Sequence, residues 1–115
     1  MYTNAKVITH SDGSIRELIS DFIGIEVINP VQVSATGMEP EQLNRDYGMD
    51  LAFWGGIDTQ HVLPFGTAAD VANAVRGRRD DLGRGGGFVQ ASVHNLQSEV
   101  PPENIVAMFE TALGR

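Results

Sequence analysis

The sequence predicts an α/β fold of about four strand-helix units around a parallel sheet. Three observations predict it. Short β-branched runs alternate with longer segments of helical period, each run is followed by one such segment, and the residues able to do chemistry collect in the links after the runs. The 115 residues suit a single domain spanning 1–115, and the composition is that of an ordinary folded protein.

The first strand is expected over Lys6 to Thr9, followed by the polar turn HSDGS and a helix from about Ile15 to Ile23. Ile15, Leu18, Ile19, Phe22 and Ile23 repeat at the spacing of one buried stripe. Ser14 and Glu17 have the spacing of a capping box, and Gly24 suits a left-handed helix end.

EVINPVQV supplies the second strand, and the loop VSATGMEPEQ leads to a short helix beginning near Pro40. LAFWGGID is the third strand. Its helix runs from about Ala68 to Leu82, with Thr67 as N-cap and Asp70 complementing the helix dipole. FVQASV is the fourth strand, and a helix from about Pro102 to Leu113 carries Ile105, Phe109, Ala112 and Leu113 as its apolar stripe.

Right-handed crossovers place every strand-to-helix loop at the C-terminal end of the sheet, where α/β proteins hold their chemistry. These loops are HSDGS, NPVQVSATGM, GGIDTQHVLPFGT and HNLQSEVPPEN, and they contain all three histidines. The opposite loops GIE, GMD and GRGGG are turn chemistry. The glycine run Gly85, Gly86, Gly87 precedes a strand rather than opening a helix, so it reads as a turn and not as a phosphate loop.

A formal charge of -7 argues against broad nucleic-acid binding, and the basic run Arg76 to Arg79 reads as the solvated face of a helix. No stretch approaches the roughly 20 apolar residues of a membrane span, and MYTNAKVITH lacks the regions of a signal peptide. A cytoplasmic location is the expectation. With no cysteines, any metal site must use His, Asp or Glu.

His10 and Asp12 stand at a strand end with one residue between them, so both can point the same way. Asp58, Gln60 and His61 follow Gly55 and Gly56, where backbone can approach a ligand closely. Asp58 either borders a pocket or holds its own loop in an Asx-type turn. Asn29 and Gln32 flank Pro30 in a similar position, and Trp54 is expected to pack the core rather than stack on a ligand.

The series HSDGS, NPVQ, FWGGIDTQHVLPFGT and GGGFVQASVHNLQSEVPPENI resembles, in order and spacing, the C-terminal half of the uroporphyrinogen decarboxylase family, which also includes cobalamin-linked methyltransferases. The GGID loop and the HN-x-Q-x-x-VPPENI stretch are the most specific segments. The resemblance implies half of a (β/α)8 barrel, a fold of about 250 residues or more. It also implies that the catalytic aspartate and the arginines gripping the tetrapyrrole carboxylates belong to the N-terminal half, leaving this chain catalytically incomplete by itself. The binding residues it implies here are Gln32, Asp58, Gln60, His61 and His94.

The decarboxylase branch implies no cofactor. In the methyltransferase branch the first strand end resembles a His-x-Cys zinc pair, with Asp12 in the cysteine's place, and counting back from Pro101 to Asn104 brings His94 to the third ligand position. His10, Asp12 and His94 would then hold zinc with an open coordination position. The alternative to a metal is that His10 and His94 hydrogen-bond within the rim while Asp12 caps the first helix. A further reading is a non-catalytic binding or oligomerisation module whose rim only holds a tetrapyrrole, corrinoid or small aromatic. Half a barrel leaves two open strand edges and an apolar inner face, so a second copy or the N-terminal half is the expected partner. A sheet that flattens into a doubly wound layer is the alternative.

Overall fold

The structure, a computed structural model, describes residues 4–22 and 24–115. Its order is β1 (Ile8–His10), α1 (Arg16–Ile19), β2 (Val27–Val31), α2 (Pro40–Tyr47), β3 (Ala52–Ile57), α3 (Val62–Phe65), α4 (Ala68–Leu82), β4 (Phe88–Ser92) and α5 (Pro102–Ala112). The four strands form one sheet in the order β1-β2-β3-β4, and every neighbouring pair is parallel. The α/β class and the four expected strand-helix units are therefore present. Because the strand order never reverses, the sheet is not doubly wound.

Consecutive parallel strands joined by crossovers of one hand put their helices on one face of the sheet. Ile28 and Phe53 are paired in register on that face and are buried with Leu43, Met38 and Leu82, beneath α1, α2 and the end of α4. A second cluster joins Ile57 to Leu63, Val71, Val75, Val100 and Met108, where α3, α4 and α5 meet. Each fully buried side chain of this size contributes roughly 1.5–3 kcal/mol. α4 packs on β3 and β4 and lies between α2 and α5.

The other sheet face is open. Ile8 is 50% exposed, Val89 48% and Trp54 36%, and Trp54 is the register partner of Val89. Trp54 therefore does not pack the core as its apolar run suggested. Alternation along β3 turns Phe53 and Ile57 to the helices and leaves the indole on the opposite side.

Three helices depart from expectation. α1 closes after one turn, and Ile23 lies outside the described residues. Ile15 and Ile19 are buried as the stripe required, but Leu18 is half exposed. The Ser14–Glu17 capping box is not formed, since the Ser14 hydroxyl donates to the carbonyl of Thr36 in the next strand-end loop. Gly24 does take a positive φ of 80°.

α5 buries Asn104 and Met108, whereas Phe109 and Leu113 are largely exposed. The contacts offered by α3 and α4 select a face rotated away from the strongest apolar repeat. α3 itself is an unexpected single turn inside the loop after β3.

α4 matches its predicted bounds. Thr67 Oγ1 accepts from the Asp70 amide at 3.1 Å, and the Asp70 carboxylate accepts from the Thr67 amide at 2.8 Å, a reciprocal cap that satisfies two otherwise unpaired donors. The Thr67 amide first, and then the Thr67 hydroxyl, which donates to the same carboxylate at 2.9 Å, hold the Asp70 carboxyl below its ordinary pKa.

Candidate functional site

The loops at the C-terminal ends of the four strands are tied to one another by side chains from the predicted site. His10 Nδ1 lies 2.7 Å from Asn29 Oδ1, a cross-strand contact between register partners near the ends of β1 and β2. Gln32 Oε1 accepts from the Gly13 amide at 2.8 Å, a link between the first and second loops. The Ser34 hydroxyl donates to Gln60 Oε1 at 2.9 Å, joining the second loop to the third. His94 Nδ1 stands 3.6 Å from Asp12 Oδ1, bringing the last loop back to the first.

Two glycines let the third loop leave β3 as it does. Gly55 has φ 118°, and a Cβ there would stand 3.1 Å from the Val31 amide nitrogen and 3.3 Å from Pro30 Cβ. Gly56 has φ 94° and lies against Leu82 and Arg78 of α4. Both conformations are ones that side chains with a Cβ rarely adopt. Beyond them, Asp58 Oδ1 accepts from the amides of Gln60 at 2.7 Å and His61 at 3.3 Å, while Oδ2 lies 3.0 Å from His61 Nδ1. Of the two readings left open for Asp58, this geometry is the Asx-type turn, and it leaves the His61 side chain 71% exposed.

Between residues 59–65 and 94–100 lies a cleft of about 390 Å³, bordered by Gln60 and His94 of the predicted set. That volume is within the range of small-molecule sites. Phe65, Asn95, Gln97 and Glu99 also line it, and none of these was singled out from the sequence. Asn95 and Gln97 belong to the HN-x-Q-x-x-VPPENI stretch that carries the resemblance, whereas the only signal for Phe65 and Glu99 is membership of a strand-end loop. No family model and no curated protein matches the sequence.

The cleft's two walls are held together from below by Asn104, which is 1% exposed. Its Nδ2 donates to the carbonyls of Leu63 at 2.9 Å and Gly66 at 2.7 Å, two acceptors at the end of the third loop. A buried amide that satisfies two carbonyls with one nitrogen fixes the loop against the start of α5. This gives the last residue of the PPEN stretch a positioning role that spacing alone did not reveal.

The three residues considered for zinc do not converge. His94 and Asp12 are neighbours, but the His10 ring is engaged with Asn29, and no group of three potential ligands surrounds a common point among the described residues. No described helix is long and apolar enough to cross a membrane.

Proposed function

We propose that this chain is the C-terminal half of a uroporphyrinogen decarboxylase-like barrel and contributes part of the binding rim of a tetrapyrrole carboxy-lyase. The observation that carries the reading is the arrangement of four parallel strands in chain order, with the first three strand-end loops linked in turn and the fourth meeting the first. Consecutive parallel order is what a segment of a (β/α)8 barrel requires, and its binding groups come from that same strand-end edge. The open face carrying Ile8, Trp54 and Val89 then corresponds to the barrel interior, covered by the N-terminal half or by a second copy.

In this reading the chain orients substrate, and the complementary half supplies the catalyst and the cationic grip on the carboxylates. Catalysis depends on a preorganised set of groups, so one half by itself turns over little or nothing. Incubation with uroporphyrinogen, with and without the N-terminal half of a full-length relative, tests this. Coproporphyrinogen is expected from the mixture only. Turnover by this chain alone near that of a full-length enzyme overturns the split, and an inactive mixture whose halves associate overturns the decarboxylase assignment.

The 3.6 Å approach of His94 to Asp12 favours one second reading, a zinc-dependent corrinoid methyltransferase half. It requires His10 to leave Asn29 and join them as a third ligand. Stoichiometric zinc lost on His94→Ala supports it.

A further inference from the structure

We infer that the cleft between the third and fourth strand-end loops takes a small organic cation, an alkylammonium group, in preference to an anion. The inference rests on the proposed function only in taking the strand-end rim as the edge where ligands sit. Its ground is the distribution of charge around a cavity that has already been described.

The four strand-end segments, residues 11–15, 32–39, 58–67 and 93–101, contain Asp12, Glu39, Asp58 and Glu99 but no lysine or arginine. The chain's eight basic residues all lie elsewhere. The nearest in sequence, Arg16, is committed to Asp46 and sits over the Tyr47 ring. A rim of this composition attracts cations and has no Arg or Lys with which to hold a carboxylate or phosphate, a grip that the proposed function assigns to the complementary half.

Within the cleft, the groups present match that charge. Glu99 is exposed and makes no ion pair among the described residues, so its carboxylate is available. Phe65 is 82% exposed at the same cleft, an apolar ring that no core contact accounts for. A carboxylate and an aromatic ring at one cavity are the two elements by which proteins hold alkylammonium groups, one through charge and the other through the ring quadrupole. The side-chain amides of Gln60, Asn95 and Gln97 add carbonyl acceptors for N–H or hydroxyl groups on the rest of such a ligand.

Titration of the isotopically labelled full chain with choline, with its neutral carbon isostere and with the matching branched carboxylate tests the inference by amide chemical shifts. Choline is expected to move the signals of residues 59–65 and 94–100 saturably, and to bind about tenfold tighter than the isostere. The carboxylate should leave them in place. Glu99→Gln and Phe65→Ala, both at exposed positions, should each weaken choline binding about fivefold or more without changing the rest of the spectrum.

No saturable shift with choline overturns the inference, as does a carboxylate that binds as tightly as choline. Because no tetrapyrrole enters this experiment, its failure leaves the decarboxylase reading standing. Conversely, a failed complementation assay leaves the cation site standing.

Discussion

His94 Nδ1 lies 3.6 Å from Asp12 Oδ1, although the two residues follow strands at opposite edges of the sheet. Three inter-strand steps of about 4.8 Å would separate those edges by about 14 Å, so the two loops must lean towards each other over the strand ends. The pair is half exposed, and pairs of that kind contribute at most about 1 kcal/mol. Its consequence is for metal chemistry. Two groups without His10 make a weak site, so chelator treatment is expected to leave the melting temperature unchanged. A chelator-sensitive melting temperature that becomes insensitive in His94→Ala would establish instead that His10 exchanges Asn29 for a metal.

Asn104 carries a larger share of the site's rigidity. Replacing it with leucine leaves the Leu63 and Gly66 carbonyls without their donor; an uncompensated buried acceptor such as the first costs about 1–3 kcal/mol, and the half-buried second costs less. Asn104→Leu should therefore lower unfolding free energy by about 2–4 kcal/mol in urea titrations. Hydrogen exchange should quicken selectively over residues 59–66. A uniform change over the whole chain would show a core residue rather than a tie for the loop.

What the sequence made legible follows the range of the interactions involved. α4 was readable to the residue because Thr67 and Asp70 cap it through bonds three residues apart. α1 was not, because Ser14 spends its hydroxyl on Thr36, a partner 22 residues away that no local pattern announces. α5 was placed correctly but turned wrongly, since burial of Asn104 depends on two carbonyls in α3 and the residue after it. In the site, the expected loops do converge, and Gln60 and His94 do border the cleft. Asp58 holds its own loop through an Asx-type turn, one of the two readings that spacing left open, and Gln32 accepts from the Gly13 amide, a partner 19 residues away.

The reciprocal cap of α4 sets an acid limit. Asp70 and Glu26 both have folded pKa values below their ordinary ones of 3.8 and 4.5. Bonds from the Thr67 amide and hydroxyl lower the first, and the Lys6 ammonium followed by the Val7 amide lowers the second. A carboxyl with a depressed folded pKa adds stability above its unfolded value and loses it as pH falls through the folded one. Melting temperature should accordingly hold steady from pH 7 downward and begin to fall below about 4.5. Thr67→Ala should lower it by about 4 °C at neutral pH and flatten that acid limb.

The turn out of β3 predicts a contrast between two glycines. Gly55 and Gly13 both have positive φ, but a Cβ at Gly55 meets Val31 and Pro30 backbone and ring, whereas one at Gly13 has nothing within 4 Å. Gly13→Ala should cost about 1 kcal/mol from backbone conformation alone. Gly55→Ala adds the displacement of β2 to that, for a total of roughly 2–3 kcal/mol. Equal costs in chemical denaturation would mean that β2 yields freely at Val31.

The open sheet face gives the last expectation. Ile8, Trp54 and Val89 expose apolar surface on a sheet whose β1 and β4 edges have no further strand beside them among the described residues. Under the half-barrel reading that surface is an interior, and leaving it in water is unfavourable by about 25 cal/mol for each Å² exposed. Two copies are therefore expected to associate at micromolar concentration when no complementary half is present. Val89→Lys puts an ammonium group beside Trp54, where pairing would bury it, and should shift the chain to monomer in sedimentation velocity. Because the helices pack on the other face, the same variant should keep its far-ultraviolet circular dichroism. A wild-type chain that sediments as a monomer and binds no hydrophobic dye would show that this face is stable in water, and the barrel-interior assignment would fall with it.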